Sequence, residues 1–489
     1  MPPRRPRKGP REGPRQKRAL SQVGGAVRLE GDRELAEAIA HCLKVRPGTG
    51  LDRYTHGFHT YPARMHPHTA GRLVRLVAAP GELILDPFCG SGTVLLEALL
   101  AERRAIGRDL SPLAVRLARL RCRRTSQTER RALRELGHRI GGVASKRARD
   151  GHAPPPLARP VLAPEGSASA DARVRSPWEG PTARLYDPAT LRELAWLAFE
   201  VSSLEDPFAR EALGLVLSSL LVKASRRTSD TDPRVARQVR APFPVGPAFT
   251  ERAEELGRLL KALAADLPRE PETARALDLA VDDARQLRTV GDASVDVVIT
   301  SPPYASVYDY VEHHELRTDW LGLDDGAFRR GEVGSRRSFT DPDAGLARWH
   351  TDGRAWLKAV ARVLKPGGRV VVLGGDGASS QGPIPFDRSL ASWAEPAGLT
   401  LRATASQRRT TFDPETERAY RGASRREHLM LLGHADEKLA RTGLQPRQSR
   451  PSDGPPRETR EGAGGRPPSR GPRAGARPPR RRGPPRQSS

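Results

Sequence analysis

The sequence predicts an α/β protein whose sheet is mostly parallel and covered by helices on both faces, interrupted by a block of helices and flanked by basic tails. Three observations predict it. From about residue 30 to 125, and again from about 277 to 434, short β-branched runs alternate with amphipathic stretches, the pattern of a parallel sheet. Residues 185 to 266 keep only the helical period. Both ends are Arg, Pro and Gly with almost nothing to bury.

In chain order, residues 1–28 hold nine Lys/Arg and one acid and are expected to be a disordered basic arm. "RELAEAIAHCL" reads as a helix, "YPARMHPHTAGRLVRLV" as a loop running into a second, and "GELILDPFCGSGTVLLEALLAERRAIGRDLSP" as strand, Gly turn, helix and strand. These make residues 29–125 the first part of the α/β domain. Residues 126–184 are Arg-, Ala- and Pro-rich and read as helix end and linker, and 185–270 as an all-α insertion with a nucleic-acid contact as one role open to it. The second part, 271–436, contains "ALDLAVDDARQL", "SVDVVITSPPY", "GRAWLKAVARVLKPGGRVVVLGG" and a closing strand pair, "LTLRATASQRRT" and "EHLMLLGH". Residues 437–489 are expected to be a disordered Arg/Pro/Gly-rich tail.

The net charge of +25 sits mostly in those ends. Residues 438–489 carry fourteen Lys/Arg against three acids, so with the N-terminal arm the two tails account for +19 and leave only +6 between them. Polycationic arms can make salt-sensitive phosphate contacts, although a GC-rich genome would also write Arg, Pro and Gly into unselected tails. Cys42, Cys89 and Cys122 are an odd count without CxxC spacing, which argues against a disulfide framework and fits a reducing cytoplasm. No 18-residue apolar run and no signal-peptide core is present, so a soluble cytoplasmic protein without a membrane partner is expected.

The first chemical site is "LILDPFCGSGT", a strand ending at Asp86 and a turn with Gly90 and Gly92. Glycines there let backbone N–H groups approach a ligand and let the next helix start tight against the strand. Asp109 ends the following strand, 23 residues after Asp86, where a carboxylate can accept both hydroxyls of a ribose; the joint spacing favours that role over an ordinary cap of the next helix. The loop lacks both the full GxGxxG and a Lys-Ser/Thr, so a phosphate cradle is not indicated. An acid at its mouth would repel pyrophosphate and suit an ammonium group. S-adenosylmethionine has a ribose, an α-ammonium and no phosphate. Cys89 reads as a loop filler, since nothing beside it in sequence would lower its pKa.

The second site is "ITSPPYASVYDY". Proline cannot donate to a sheet ladder, so the strand stops at about Thr300 and Ser301-Pro302-Pro303-Tyr304 begins a stiff loop whose carbonyls and flanking side chains point in fixed directions. "DYVEHHELRTDWLG" follows as a helix-like stretch that reads as a solvated face. His56, His59, His66 and His68 lack the Cys or carboxylate that would complete a metal site, and none is expected.

Together "DPFCGSGT", "GRDLSP" and "TSPPY" resemble the prokaryotic amino-methyltransferases of DNA, which methylate the exocyclic nitrogen of cytosine or adenine with S-adenosylmethionine. The resemblance covers about residues 50–125 and 277–434. It implies a Rossmann-like class I methyltransferase fold with a seven-stranded, mostly parallel sheet. In "HTYPARMHP" it implies that Thr60, Tyr61, Pro62 and Ala63 lie at the methionine end of the cofactor. It also implies a cofactor wall of Asp86, Pro87, Phe88, Gly90, Ser91, Gly92 and Thr93, with Asp109 at the ribose and Asp283 of "DDAR" facing the adenine. "VLKPGGRVVVL" looks like the turn before the fifth strand of this fold.

In such a site Ser301 and the Pro302 carbonyl accept hydrogen bonds from the target amine and Tyr304 stacks on a base flipped out of duplex DNA. A Ser at the head of the loop is associated with cytosine N4 members, Asp or Asn with adenine. N6-adenine or RNA methylation, and a catalytically silent nucleic-acid-binding protein, are the alternatives; a restriction endonuclease partner is undetermined. The departure from the family is the long block between the second and third strands, which leaves the target-recognition region open between that block and the loop after Tyr304.

Overall fold

The β-branched runs pair into one sheet, and the glycine- and proline-marked segments between them leave it as helices. In a computed structural model of the protein, residues 26–45, 53–162, 176–229, 232–235, 242–269, 276–410 and 414–435 are described. The first part contains β1 (Val27–Gly31), α1 (Arg33–Cys42), α2 (Pro67–Val77), β2 (Leu83–Asp86), α3 (Thr93–Leu100), β3 (Arg104–Asp109) and α4 (Pro112–Cys122). The inserted block contains α5 (Gln127–Arg149), α6 (Pro188–Ser202), α7 (Pro207–Ala224), β4 (Arg227–Ser229), β5 (Asp232–Val235) and α8 (Val245–Asp266). The second part begins with β6 (Leu277–Val281), β7 (Val295–Thr300), α9 (Tyr310–Leu321), α10 (Gly326–Gly331), α11 (Pro342–Val363) and β8 (Leu364–Gly375). It closes with β9 (Gly377–Ser379), β10 (Gly382–Ile384), α12 (Phe386–Ala394), β11 (Leu399–Arg408), α13 (Pro414–Ala419) and β12 (Arg426–His434).

The large sheet has the order β1-β11-β12-β8-β7-β2-β3-β6. Strands β8, β7, β2, β3 and β6 run parallel, β12 lies antiparallel between β8 and β11, and β1 pairs antiparallel with β11. Leaving β1 aside, the order and the single reversed strand β12 are those of a Rossmann-like methyltransferase sheet. The expected seven strands are therefore eight. Val27 and Arg28, expected to belong to the N-terminal arm, are the start of β1 and cover an otherwise unpaired edge of β11. Residues 1–25 of that arm and the tail from 437 lie outside the described residues.

Side chains alternate across the sheet with the two-residue period of a strand. Val297, Ile299, Val371, Leu373, Leu429 and Leu431 pack under α1, α2 and α3, while Val298, Val370, Val372, Met430 and Leu432 pack under α11 and α12. The inserted helices build their own core around Leu133, Ile140, Leu197, Leu213, Phe249 and Leu256, and α4 and α9 extend it through Leu117 and Trp320. The block is thus continuous with the α/β unit.

Two expectations are corrected here. The segment 126–184, expected as helix end and linker, contains the 23-residue helix α5, opened by a capping box of Ser126 and Glu129. Its glycines mark helix contact, since a Cβ at Gly137 would stand 2.5 Å from Ala253 Cβ of α8. The insertion is also not all helical, because β4 and β5 form a hairpin. Among the described residues no helix is long and apolar enough to cross a membrane.

Candidate active site

Strands β2 and β7 are neighbours at the middle of the sheet, and their carboxyl ends carry the two loops singled out in the sequence. Beyond those ends lies a cleft with about 840 Å³ of empty space, part of it open to solvent. Its walls are Tyr61 to Met65, Asp86 to Ser91, Thr93, Val94, Asp109, Leu110, Asp283, Ala284, Ser301, Pro303, Tyr310, Phe328 and Gly331 to Val333.

Most residues expected at a cofactor or catalytic site meet here, but four do not line this cleft. Thr60 is exposed and its carbonyl bonds His59 Nδ1 at 2.8 Å. Gly92, at φ +83°, starts α3, and a Cβ there would lie 2.9 Å from Ala118 Cβ of α4, so it serves helix packing. Pro302 is buried beside the cleft, and Tyr304 lines a smaller adjoining one. Gly90, at φ +49°, sits under Tyr61, whose ring carbon would be 3.0 Å from an added Cβ.

Two carboxylates dominate the electrostatics. Asp86 is 3% exposed; Thr300 Oγ1 donates to its Oδ1 at 2.7 Å and the Phe88 N–H at 3.2 Å. Burial outweighs these bonds and pushes its carboxyl up to about 7. Asp109 accepts from the Gly90 N–H and the Ser111 N–H, both at 2.9 Å, and burial raises it to about 6. The capping role open to Asp109 falls to Ser111, whose Oγ accepts from the Ala114 N–H at the start of α4. Asp283 lines the cleft with both oxygens held by Arg285, which reaches on to Asp352 at 2.8 Å.

The smaller cleft, about 440 Å³, is walled by Leu43, Ala63 to His66, Thr69, Ser301, Tyr304, Leu373, Arg409 and Glu427. Ser301 and Ala63 to Met65 belong to both clefts. The Tyr304 hydroxyl donates to Glu427 Oε1 at 2.9 Å, and Arg409 Nε donates to Glu427 Oε2 at 3.1 Å. Ala63, which lines both clefts, has a φ of +52°, a left-handed backbone that side-chain-bearing residues seldom adopt.

The histidines of the first segment hold structure. His56 Nε2 bonds Glu97 Oε1 at 3.0 Å, and His59 Nε2 bonds Ser218 Oγ at 3.0 Å, tying the segment to α7. Cys89 is free and buried, and burial pushes its thiol well up, as for a loop filler.

Sequence reasoning missed several wall residues. Arg64 and Met65 directly follow the segment it named. Phe328, Gly331, Glu332 and Val333 come from a stretch without a motif. Glu332 is 3% exposed, accepts from the Tyr310 and Val311 N–H groups at the start of α9, and is raised by burial to about 7. The stretch expected as a solvated helix face is instead buried nearly all round: His314, Arg317 and Trp320 of α9 are each at most 1% exposed. The inserted helices cover it, and only the tertiary partner makes that visible.

The strand order, with the two loops leaving neighbouring strands at the carboxyl edge, is that of a Rossmann-like class I methyltransferase fold. Residues 37–120 match the family model described as DNA methylase, of N6/N4 type. Among curated proteins, the Type II methyltransferase M.MvaI of Kocuria varians is 38% identical over 69 residues; the match spans 14% of this chain and 15% of that protein. Among solved structures, a putative DNA modification methylase from Thermus thermophilus, complexed with S-adenosyl-L-methionine, aligns at 21% identity. That alignment covers 32% of this chain and 55% of the other, with a TM-score of 0.21. TrmN from Thermus thermophilus aligns at 14% identity over 76% of this chain and 49% of its own, with a TM-score of 0.29.

Proposed function

We propose that the protein transfers a methyl group from S-adenosylmethionine to the exocyclic N4 amine of cytosine in DNA. The observation that carries this reading is the position of Ser301, on the wall shared by the two clefts. One chamber then takes the cofactor, the other the target base, and the amine meets the methyl group beside Ser301.

The larger cleft fits the cofactor by the chemistry of its groups. Asp86, buried with a raised pKa, gains most from an incoming cation such as the α-ammonium, and Asp109 faces the cleft as an acceptor for ribose hydroxyls. Phe88 and Phe328 supply apolar walls, and Asp283 an acceptor for the adenine amine. When bound, the cofactor supplies an electrophilic methyl group on a sulfonium.

The chain's own part is to aim the amine. The lone pair of an exocyclic amine is delocalised into the base ring, and accepting its two N–H groups pulls the nitrogen towards sp³ and frees that pair. Ser301 Oγ and the Pro302 carbonyl do this from a loop made stiff by two prolines. Tyr304 stacks on the flipped ring, its own orientation fixed by Glu427. The nitrogen–methyl bond would form as the sulfur–methyl bond breaks, and the methylated amine would then shed its proton to water, so no side chain with a tuned pKa is needed before attack and the rate comes from positioning.

Ser301→Ala tests this. It should lower kcat while leaving cofactor affinity within about twofold, because the hydrogen bond strengthens as the nitrogen pyramidalises. Unchanged turnover on DNA would remove Ser301 from the mechanism. Retained cofactor binding with no transfer to any DNA or RNA by the parent protein would instead favour a silent nucleic-acid-binding protein.

A further inference from the structure

The segment from Phe328 to Arg337 has two faces. Its inner face, Phe328, Gly331, Glu332 and Val333, is wall of the larger cleft. Its outer face carries four exposed arginines, Arg329, Arg330, Arg336 and Arg337. Arg329 is paired with Asp325 and Arg337 with Glu332, both at 2.8 Å. Among the described residues Arg330 and Arg336 have no carboxylate partner. Two unneutralised guanidinium groups therefore stand at the rim of the site.

That rim is fixed to the loop that follows Tyr304. The Ser306 N–H donates to the Gly334 carbonyl at 2.9 Å, and the Arg337 N–H to Asp309 Oδ1 at 3.0 Å. Arg336 Nη2 donates to the Val307 carbonyl at 2.9 Å. The Tyr308 carbonyl accepts from the Arg336 N–H at 3.3 Å. The rim adjoins the backbone of Tyr304, which walls the smaller cleft, and phosphates flanking a base held in that cleft are the polyanion the proposed reaction brings near it.

Resting on the methyltransferase reading, we propose that the outer face of residues 329–337 is a docking surface for the DNA backbone flanking the target base, with Arg330 and Arg336 as its phosphate contacts. Each phosphate contact on duplex DNA releases condensed counterion and contributes about 0.9 to the slope of log affinity against log salt. The surface therefore has a signature that local packing alone does not produce.

The test uses the full chain and a fluorescein-labelled duplex, with binding read by anisotropy from low to moderate KCl. Arg330→Ala/Arg336→Ala should flatten the salt slope by about 1.8, from two contacts at about 0.9 each. It should raise KM for DNA at low salt and leave cofactor affinity and kcat at saturating DNA unchanged. Arg139→Ala/Arg149→Ala removes two exposed arginines from α5 and should change none of these. Arg336→Lys keeps the charge and should keep the slope even though the bond to Val307 is disturbed. An unchanged slope in the first variant overturns the proposal, as does an equal flattening by the α5 variant, which would mean diffuse charge. Tighter, equally rim-dependent binding of an RNA duplex would overturn DNA as the occupant. Binding is read without catalysis and cofactor affinity is measured separately, so failure of the methyltransferase reading shows itself apart from failure of the surface.

Discussion

Thr300 Oγ1 donates to Asp86 Oδ1 at 2.7 Å, so the last residue of β7 is bonded to the last residue of β2. The cofactor loop and the Ser301 loop thus leave the sheet from a shared anchor. Thr300→Val removes the hydroxyl at nearly constant shape and withdraws the bond that most favours the ionised Asp86. S-adenosylmethionine affinity at neutral pH should fall by the worth of a hydrogen bond to a charged group, about 1.5–3 kcal/mol. Part of the loss should return at higher pH, where Asp86 ionises regardless. Titration calorimetry at pH 7 and pH 9 checks both.

Cofactor affinity and stability should respond to pH with opposite signs. Asp86 and Asp109 are raised by burial to about 7 and about 6. A carboxyl whose folded pKa lies above its unfolded value contributes stability that is fully present below the unfolded pKa and lost as pH rises through the folded one. The free protein should therefore lose stability between about pH 4 and 7 from these two groups. Binding a cation needs the ionised Asp86, so the apparent cofactor Kd should fall as pH rises towards 7 and then level off. Thermal melts across this range, with and without S-adenosylmethionine, should show the stabilisation by cofactor growing with pH; stabilisation that shrinks with pH contradicts the pairing.

Gly90 and Gly92 should fail in different ways. Gly92→Ala forces a side chain into φ +83° and against Ala118, so it should cost stability, roughly 1–3 kcal/mol, read as a lower Tm. Gly90→Ala presses on the Tyr61 ring inside the cleft wall and should show more in cofactor affinity than in Tm. Equal effects of both on Tm, with affinity untouched, would make the turn purely structural.

Tyr304 is 6% exposed, and a Cβ on Gly375 would stand 2.5 Å from its ring. Tyr304→Phe keeps the ring but strips one donor from buried Glu427, so it should cost about 1–3 kcal/mol of stability and little in DNA affinity. Tyr304→Ala should weaken binding of duplex containing the target base by about 1–3 kcal/mol, the worth of one stacked base. Equal DNA affinity in the two variants would remove the stacking role.

The parts of this molecule legible in its sequence are those where local chemistry dictates the backbone. Proline at 302 and 303 ends β7 at Thr300, and the alternation of Val295 to Thr300 is a strand in any context that buries both faces. Gly90, Gly92 and Asp109 could be placed because a tight turn and a strand end leave few arrangements open. Helix α5 was illegible because Gly137, Gly141 and many arginines look like linker composition, while the glycines in fact let α8 approach. The burial of His314 and Arg317 and the cleft position of Glu332 depend on partners more than 80 residues away or on no motif at all. Periodicity cannot report either. Arg409 and Glu427, which floor the smaller cleft, likewise come together only through the pairing of β11 with β12.

The product of the reaction tests the central claim most directly. Purified protein, S-adenosylmethionine with a labelled methyl group and unmethylated genomic DNA are incubated, and the DNA is digested to nucleosides for mass spectrometry. The account predicts labelled N4-methyl-deoxycytidine, lost in Ser301→Ala. N6-methyl-deoxyadenosine as the sole labelled nucleoside would contradict the cytosine assignment while leaving the amine-transfer site in place, and label in no nucleoside of DNA or RNA would contradict the account itself.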